Sequence, residues 1–306
     1  MKTMVIVNPR SANNKTGKIW PLIKEKLDAS IDSYAVCFTD KKNSAPLLTS
    51  DALEKGFERV VGVGGDGTFS EIVNGYFKND KPINKKAVLS FISSGTGGDF
   101  RKTLGKPAGM DEAIRNLSGD KIIKADVGKI VFKDFNSQNI QRYFINIASF
   151  GMGGETARRV NHIKFLKIFG GKTAFYLATL HTMFSYKNTL VKLECNGEII
   201  EEKIRNIAVA NGRFHGGGMM IAPEASINDG FFDVVILGDL NFLEITMLAG
   251  RIYKGTHLDH PKVKTLRTKE VRAFSAEKIS IENDGEVYGT IPATFTVLPG
   301  ILRLQV

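Results

Sequence analysis

Cysteine is nearly missing from this sequence: Cys37 and Cys195 are the two in 306 residues. They lie far apart, form no Cys-x-x-Cys pair and have no histidine cluster beside them. That excludes a disulfide-stapled secreted scaffold and a cysteine-ligated zinc centre, and it fits reduced packing residues in a cytoplasmic protein. Long apolar runs are missing too. No window approaches the roughly 18 apolar residues that a membrane-spanning helix needs. The apolar part of Met1-Lys2-Thr3-Met4-Val5-Ile6-Val7 is too short for a secretory signal and reads as a first strand. Repeats, low-complexity tracts, RNA-binding signatures and zinc-finger spacing are absent, so nucleic acid is not an expected partner.

What is present is ordinary globular material, 42% hydrophobic and 24% charged, enough for the cores of one large or two medium domains. The formal charge is +10. With nucleic acid set aside, that excess suits an anionic membrane face or a polyphosphate ligand, beyond the bland reading of a basic surface.

The rest of the chain is organised around Val60-Val61-Gly62-Val63-Gly64-Gly65-Asp66-Gly67-Thr68-Phe69-Ser70-Glu71. A β-branched run breaks into glycines around one carboxylate and continues as a helix. Glycines let a ligand approach the main chain, and the following helix aims free N–H groups at an anion. A tight turn between strand and helix needs no carboxylate. Beside phosphates, Asp66 implies Mg2+ or a hydroxyl substrate close by, because a bare carboxylate would repel them.

Upstream, Met4–Val7 is a strand ending in a polar loop, Asn8 to Lys18, where Lys15, Thr16 and Lys18 could touch phosphate or simply be solvated. Ile19–Leu27 has helical spacing, Tyr34–Thr39 is a strand and Ala45–Gly56 a helix. Strands alternating with crossover helices make a parallel sheet, whose ligands bind at the carboxyl ends of the strands. Asn8, Thr39 and Gly64 sit there. Ala87–Ile92 is the next strand, and Ser93 to Arg101 repeats the pattern with Gly95, Thr96 and Asp99. Met110–Leu117 is a helix.

From Ile122 the crossovers stop. Strands are expected at Ile122–Phe132, Tyr143–Ser149, Leu190–Cys195, Glu198–Ile204, Ile207–Ala210, Phe232–Leu237, Val271–Phe274 and Lys278–Glu282, making a β-sandwich. Asn196-Gly197 and Asn283-Asp284-Gly285 are hairpin signals. Helical inserts are expected at Gly154–Tyr186 and Leu240–Tyr253. The second has a basic continuation (Lys254, Lys262, Lys264, Arg267, Lys269, Arg272) that packs on the sheet or faces an anionic membrane.

In this order, Asn8-Pro9 with Gly17-Lys18, Gly64-Gly65-Asp66-Gly67-Thr68, Gly95-Thr96 with Asp99-Phe100, Gly216-Gly217-Gly218-Met219 with Ala222-Pro223, Asp229-Gly230-Phe231-Phe232-Asp233 and Asp284-Gly285-Glu286 resemble the diacylglycerol kinase-like lipid kinase family. The resemblance spans essentially the whole chain. It implies an α/β nucleotide domain over 1–124 and 293–306, a β-sandwich lipid domain over 125–292, and ATP in the cleft between them. It implies nucleotide contacts at Asn8, Thr39, Gly64, Gly65, Asp66, Gly67, Thr68, Phe69, Ser70, Gly95 and Thr96. Asp284 is similar to the family's general base. A structural Mg2+ would take the Asp229 carboxylate and the carbonyls of Ser226 and Phe231, with Asp66, Asp99 and Glu286 in an acidic network. One departure is Gly98, where many relatives carry Asn.

The expected activity is ATP-dependent phosphorylation of a hydroxyl on diacylglycerol, a sphingoid base or a related lipid. The enzyme would work from the cytoplasm at an anionic phospholipid surface, as one copy or a homodimer. That chemistry needs a phosphate cradle, a cation and a carboxylate to take the hydroxyl proton. NAD kinase, which shares the Gly-Gly-Asp-Gly-Thr loop, and a catalytically inactive lipid- or nucleotide-binding homologue are the alternatives. Asn-Asp-Gly is a good turn without any chemistry, and His181 and His215 are read as structural or surface residues.

Overall fold

The computed structural model describes residues 1–94, 97–107, 109–162 and 179–306, with the backbone alone at 161 and 162. Two compact units result. One holds Met1–Val127, Ile227–Asp229 and Leu298–Val306; the other holds Gly128–Ser226 and Gly230–Val297.

The first unit runs β1 (Thr3–Val7), α1 (Lys15–Asp28), β2 (Tyr34–Phe38), α2 (Ala45–Glu54), β3 (Arg59–Gly64) and α3 (Asp66–Asn74). It continues through a two-strand hairpin, β4 (Phe77–Lys78) and β5 (Lys81–Pro82), to β6 (Val88–Ser93), α4 (Asp99–Thr103) and α5 (Met110–Leu117). Strands β2, β1, β3 and β6 pair in parallel, with Val5 opposite both Val36 and Val61, and Val61 opposite Ser90. β3 is buried along its whole length, as a strand covered on both faces must be. Ile23 and Leu27 of α1 and Ile114 and Leu117 of α5 close one face over Val5, Val7, Val61, Val63 and Ile92. Phe69 and Ile72 of α3 lie against Gly62, where a Cβ would come within 2.6 Å of the Ile72 methyl.

α1 begins at Lys15, four residues before its apolar periodicity becomes visible. Its first turn rests on Pro9: Gly17 donates to the Pro9 carbonyl at 3.0 Å, and a Cβ there would lie 3.1 Å from that oxygen. The loop thus spends its glycine on close approach of backbone to backbone.

The second unit contains most of β7 (Ile122–Asp134), β8 (Asn139–Phe144), β9 (Ile147–Gly151), α6 (Met152–His162), β10 (Thr189–Cys195), β11 (Glu198–Ile204), β12 (Asn206–Ala210) and β13 (Phe232–Leu237). α7 (Phe242–Lys254), β14 (Val263–Thr268), β15 (Glu270–Phe274), β16 (Ser280–Asn283) and the start of β17 (Glu286–Gln305) follow. One layer is β14-β13-β12-β9-β16, continued by the start of β17. β17 then pairs with β15 and β7, which carry β10, β11 and β8 in the other layer. Phe132, Phe144, Phe150, Phe232 and Phe295 fill the space between, with Phe144 stacked on Phe232 and Phe150 on Phe295. Ile245, Leu248 and Ile252 of α7 cover the outer face of the first layer.

Two expectations change here. The strand read as Tyr143–Ser149 breaks at Ile145-Asn146, whose N–H groups leave the ladder for a side chain described below. Part of the basic stretch after α7 is not an extension of the insert but an unexpected strand, β14, which runs into β15 where Val271–Phe274 was expected as a strand. Most of its charges are met by acids: Lys262 by Glu244 at 2.6 Å, Lys264 by Glu202 at 2.7 Å and Arg272 by Glu270 at 3.0 Å. Much of the insert expected at Gly154–Tyr186 lies outside the described residues.

Candidate active site

In the first unit, the loops after β1, β2, β3 and β6 meet at the carboxyl ends of their strands. Asn8 donates its backbone N–H to Val63 at 2.9 Å and its side-chain amide to Thr68 Oγ1 at 3.0 Å. Thr39, buried just past β2, donates its N–H to Val7 at 2.9 Å. Ser94 donates its N–H to Gly64 at 2.8 Å, and its hydroxyl meets Thr16 Oγ1 at 2.7 Å, with Ser11 on the same hydroxyl. The Asn8–Lys18 loop is therefore stitched to both glycine-rich loops by its hydroxyls and its amide.

Within Gly64–Ser70 the residues divide sharply. Gly64 cannot carry a side chain, since a Cβ would sit 2.5 Å from Thr68 Oγ1. The rings of Phe69 and Phe91 pack at 4.4 Å between centroids, and Phe69 and Ser70 are buried. Gly67 has no packing reason to be glycine: nothing lies within 4 Å of a Cβ built there, and it stands in the first turn of α3. Its open side, over the helix N-terminus, is room for an anion.

Asp66 is met by protein. Its carboxylate accepts from the N–H groups of Asp99 at 3.1 Å and Phe100 at 3.3 Å, so it caps α4. Burial pushes its proton affinity up, and the neighbouring Asp99 charge adds to that, against the N–H donors. The carboxylate that looks out of place in a phosphate cradle thus ties the β3 loop to the β6 loop. Asp99 is buried, with Lys102 Nζ at 3.6 Å. Gly98 holds φ 60, a left-handed conformation that Asn also tolerates. Gly95 and Thr96 lie outside the described residues.

In the second unit, Asp284 and Gly285 form the two-residue turn between β16 and β17, at φ 46 and φ 93, joining the Asn283–Glu286 pair. Both angles are positive, as a type I′ turn requires. Asp284 does more than turn the chain. Its Oδ1 accepts from Asn146 at 3.2 Å and Ile147 at 3.1 Å, and its Oδ2 from Ile145 at 3.0 Å. Its own N–H donates to Ile147 at 3.0 Å. A carboxylate offers about four acceptor sites, so Oδ2 keeps one for a hydroxyl proton. Burial, with the Glu282 charge adding to it, raises the carboxyl from 3.8 to about 7 against the three N–H donors. A base poised near neutrality suits proton abstraction at physiological pH.

Sequence reasoning missed the neighbours of this turn. Glu282, 1% exposed on its side chain, accepts from Ser149 Oγ at 2.8 Å and from the Gly285 N–H, with His215 Nε2 at 3.5 Å. Asn146 holds the loop bearing His215: its carbonyl accepts from Asn211 and Gly212, and its amide donates to Phe214. The available signal was a charged residue inside the apolar run Ile279-Ser280-Ile281-Glu282.

Glu286 starts β17 in the second unit, whereas Asp66 and Asp99 belong to the first. The expected metal ligands fall where the chain changes unit: Ser226 and Phe231 in the second, Asp229 in the first. Among the described residues, no group of three His, Cys, Asp or Glu side chains is placed to hold a metal. The expected set contains a single carboxylate.

Comparison with known proteins covers both units. The diacylglycerol kinase catalytic domain matches residues 2–130, and the YegS C-terminal NAD kinase beta sandwich-like domain matches residues 146–306. A diacylglycerol kinase of Staphylococcus carnosus is 28% identical over 294 residues, covering 96% of this chain and 91% of that protein. One of Bacillus subtilis is 28% identical over 297 residues, covering 97% and 93%. The crystal structure of a diacylglycerol kinase from Bacillus anthracis superposes with a TM-score of 0.77 at 22% identity, over 99% of this chain and 96% of that one. Yeast NADH kinase complexed with NADH does so with a TM-score of 0.54 at 13% identity, over 99% and 82%. Those two structural likenesses concern the fold alone.

Proposed function

Because this chain belongs to the diacylglycerol kinase-like family of lipid kinases, we propose that it transfers the γ-phosphoryl group of ATP to a hydroxyl of diacylglycerol, a sphingoid base or a related lipid. The reading rests most on Asp284, a carboxyl seated on three N–H groups, with an acceptor site left over and a proton affinity near neutrality. Asp284 takes the proton of the acceptor hydroxyl as the oxygen attacks. Asn8, Thr39 and the Gly64–Ser70 loop bind the nucleotide, with Gly95 and Thr96 added on the family likeness. The N–H groups at the start of α3 face the phosphates past Gly67, and Asp66 orients the two loops through α4. Positioning and fixed dipoles carry most of the acceleration in such transfers.

Mg2+ would be held by the Asp229 carboxylate and the carbonyls of Ser226 and Phe231, an all-oxygen donor set of the kind a hard cation takes. When bound, it supplies positive charge that holds an acidic segment in place. The test is transfer of labelled phosphate from ATP to diacylglycerol, monoacylglycerol, sphingosine, ceramide, phosphatidylglycerol and NAD. Label on a lipid supports the reading; label on NAD alone, or on none, overturns it.

A lipid acceptor calls for contact with a membrane. No described helix is long and apolar enough to cross one. The expected basic edge is largely paired with acids, and the more apt surface is apolar. Leu243 and Met247, one turn apart on α7, are 67% and 72% exposed, and Phe184 is 77% exposed. Phe184 and Phe242 meet edge to face at 5.6 Å. Buried Arg205 donates to the carbonyls of Met183 and Tyr186, and Asn188 donates to Leu240 at 2.8 Å, so the patch is held firmly. Exposed Lys187 and Lys254 flank it in sequence. Such a surface fits the interface of an anionic bilayer. Replacing Leu243 and Met247 together by Ser should lower sedimentation with phosphatidylglycerol vesicles at least tenfold and leave the melting temperature unchanged. Unchanged sedimentation removes the patch from this role.

A further inference from the structure

We propose that Glu282 is the positioning residue of this site, holding the turn that seats Asp284 and placing a second buried carboxylate beside it. The inference rests on Asp284 being the base. Glu282 lies opposite Ser149 in the β16–β9 register, and its carboxylate spans three elements. Oε2 meets Ser149 of β9 at 2.8 Å and His215 of the loop after β12 at 3.5 Å, and Oε1 takes the N–H of Gly285. The last contact closes the turn directly after Asp284. A buried charged side chain in a sandwich layer costs several kcal/mol unless paired and hydrogen-bonded, and packing alone gives no reason to retain one here.

The charged and titratable groups on the surrounding elements are few. β16 supplies Glu282 itself, β9 supplies only the Ser149 hydroxyl, the loop after β12 supplies His215 and Arg213, whose Nε donates to the Ala225 carbonyl at 3.0 Å, and α6, packed on β16, supplies Glu155 paired with Arg158 and Arg159. β17 begins with Glu286, across from Asn283, and the end of β8 supplies Tyr143, whose carbonyl takes the Asn283 amide. Of these, Glu282 is the one whose charge acts on Asp284, and it acts to raise it. His215 is 21% exposed on its side chain and 3.5 Å from Glu282, so a substitution there can place a charge beside Glu282 from the solvent side. The Glu282 pair therefore keeps the base protonated to higher pH than burial alone would.

The test is the pH profile of lipid phosphorylation for the wild type, Glu282→Gln and His215→Lys. Gln keeps the shape, with its oxygen for the Gly285 N–H and its NH2 donating to the Ser149 hydroxyl oxygen, while removing the charge. Lys places a fixed positive charge beside Glu282 from a partly exposed position, so it folds even if Glu282→Gln does not. Both should move the acid limb of turnover to lower pH, by about one unit for Glu282→Gln. A purely structural role for Glu282 would lower the plateau and leave the limb where it is, which overturns the proposal. Turnover retained by Asp284→Asn would instead remove the base itself, and with it the reading on which the proposal stands.

Discussion

Asp284→Asn should abolish lipid phosphorylation, with a loss of roughly 10²–10⁴ in turnover, the usual contribution of a positioned general base. The amide is nearly isosteric, and its oxygen can still accept from the 145–147 peptides, so the turn and ATP binding should survive. Its NH2 would face an N–H donor where the carboxylate accepted one, a cost of about 1–3 kcal/mol. A second readout separates chemistry from damage. In the wild type the Asp284 carboxyl is raised from 3.8 to about 7. A group raised on folding contributes stability that is complete below about pH 4 and is lost as pH rises through about 7. Thermal stability of the wild type should therefore fall across that window relative to Asp284→Asn, which has no charge to bury. Turnover runs the other way: the base works only when ionised, so activity rises through about pH 7. Retained turnover in Asp284→Asn, measured with saturating lipid and ATP, would exclude the residue as base.

Two glycines three positions apart should differ in what substitution does to stability. Gly67→Ala is expected to lower kcat/KM for ATP by roughly a hundredfold, because a methyl group there displaces the phosphates by about an ångström. The fold should not suffer. Open space surrounds the new carbon, and alanine favours the helix over glycine by about 1 kcal/mol. Gly64→Ala drives a Cβ to 2.5 Å from Thr68 Oγ1, which Asn8 pins in place, so it should cost about 1–3 kcal/mol of stability as well as activity. Calorimetric ATP binding and melting temperature on both variants give the comparison. Undiminished ATP affinity in Gly67→Ala would move the nucleotide away from this loop.

Much of the first unit was readable before its structure. Buried β-branched runs at Val5–Val7 and Val60–Val63, with amphipathic stretches between them, specify a parallel sheet through patterns only a few residues long. The two-residue turns at Asn196-Gly197 and Asp284-Gly285 were legible for the same reason, because left-handed backbone at two successive positions admits few residue types. Other features depend on partners distant in the chain. The start of α1 at Lys15 depends on Pro9. The strand break at Ile145-Asn146 depends on a carboxylate nearly 140 residues later, and no local periodicity carries that. β14 was hidden by Lys264 and Arg267, whose charges are met by Glu202 at 2.7 Å and Asp233 at 3.9 Å elsewhere in the unit.

The sequence by itself determined the fold class, the loops that line the strand ends and the family whose chemistry they suit. These follow from short-range physics: side-chain periodicity, glycine's freedom and the charge of a carboxylate among phosphate donors. Tertiary structure alone decided what each carboxylate does. Asp66, which the sequence presents as a metal-linked anomaly, is satisfied by the N–H groups of Asp99 and Phe100. Asp284, which reads as a turn from its neighbours and as a base from the family likeness, is lifted to about 7 by burial and by Glu282. Proton affinity depends on what surrounds a group in space, and those surroundings come largely from other segments, 33 and 34 residues away for Asp66 and 137 to 139 for the N–H donors of Asp284.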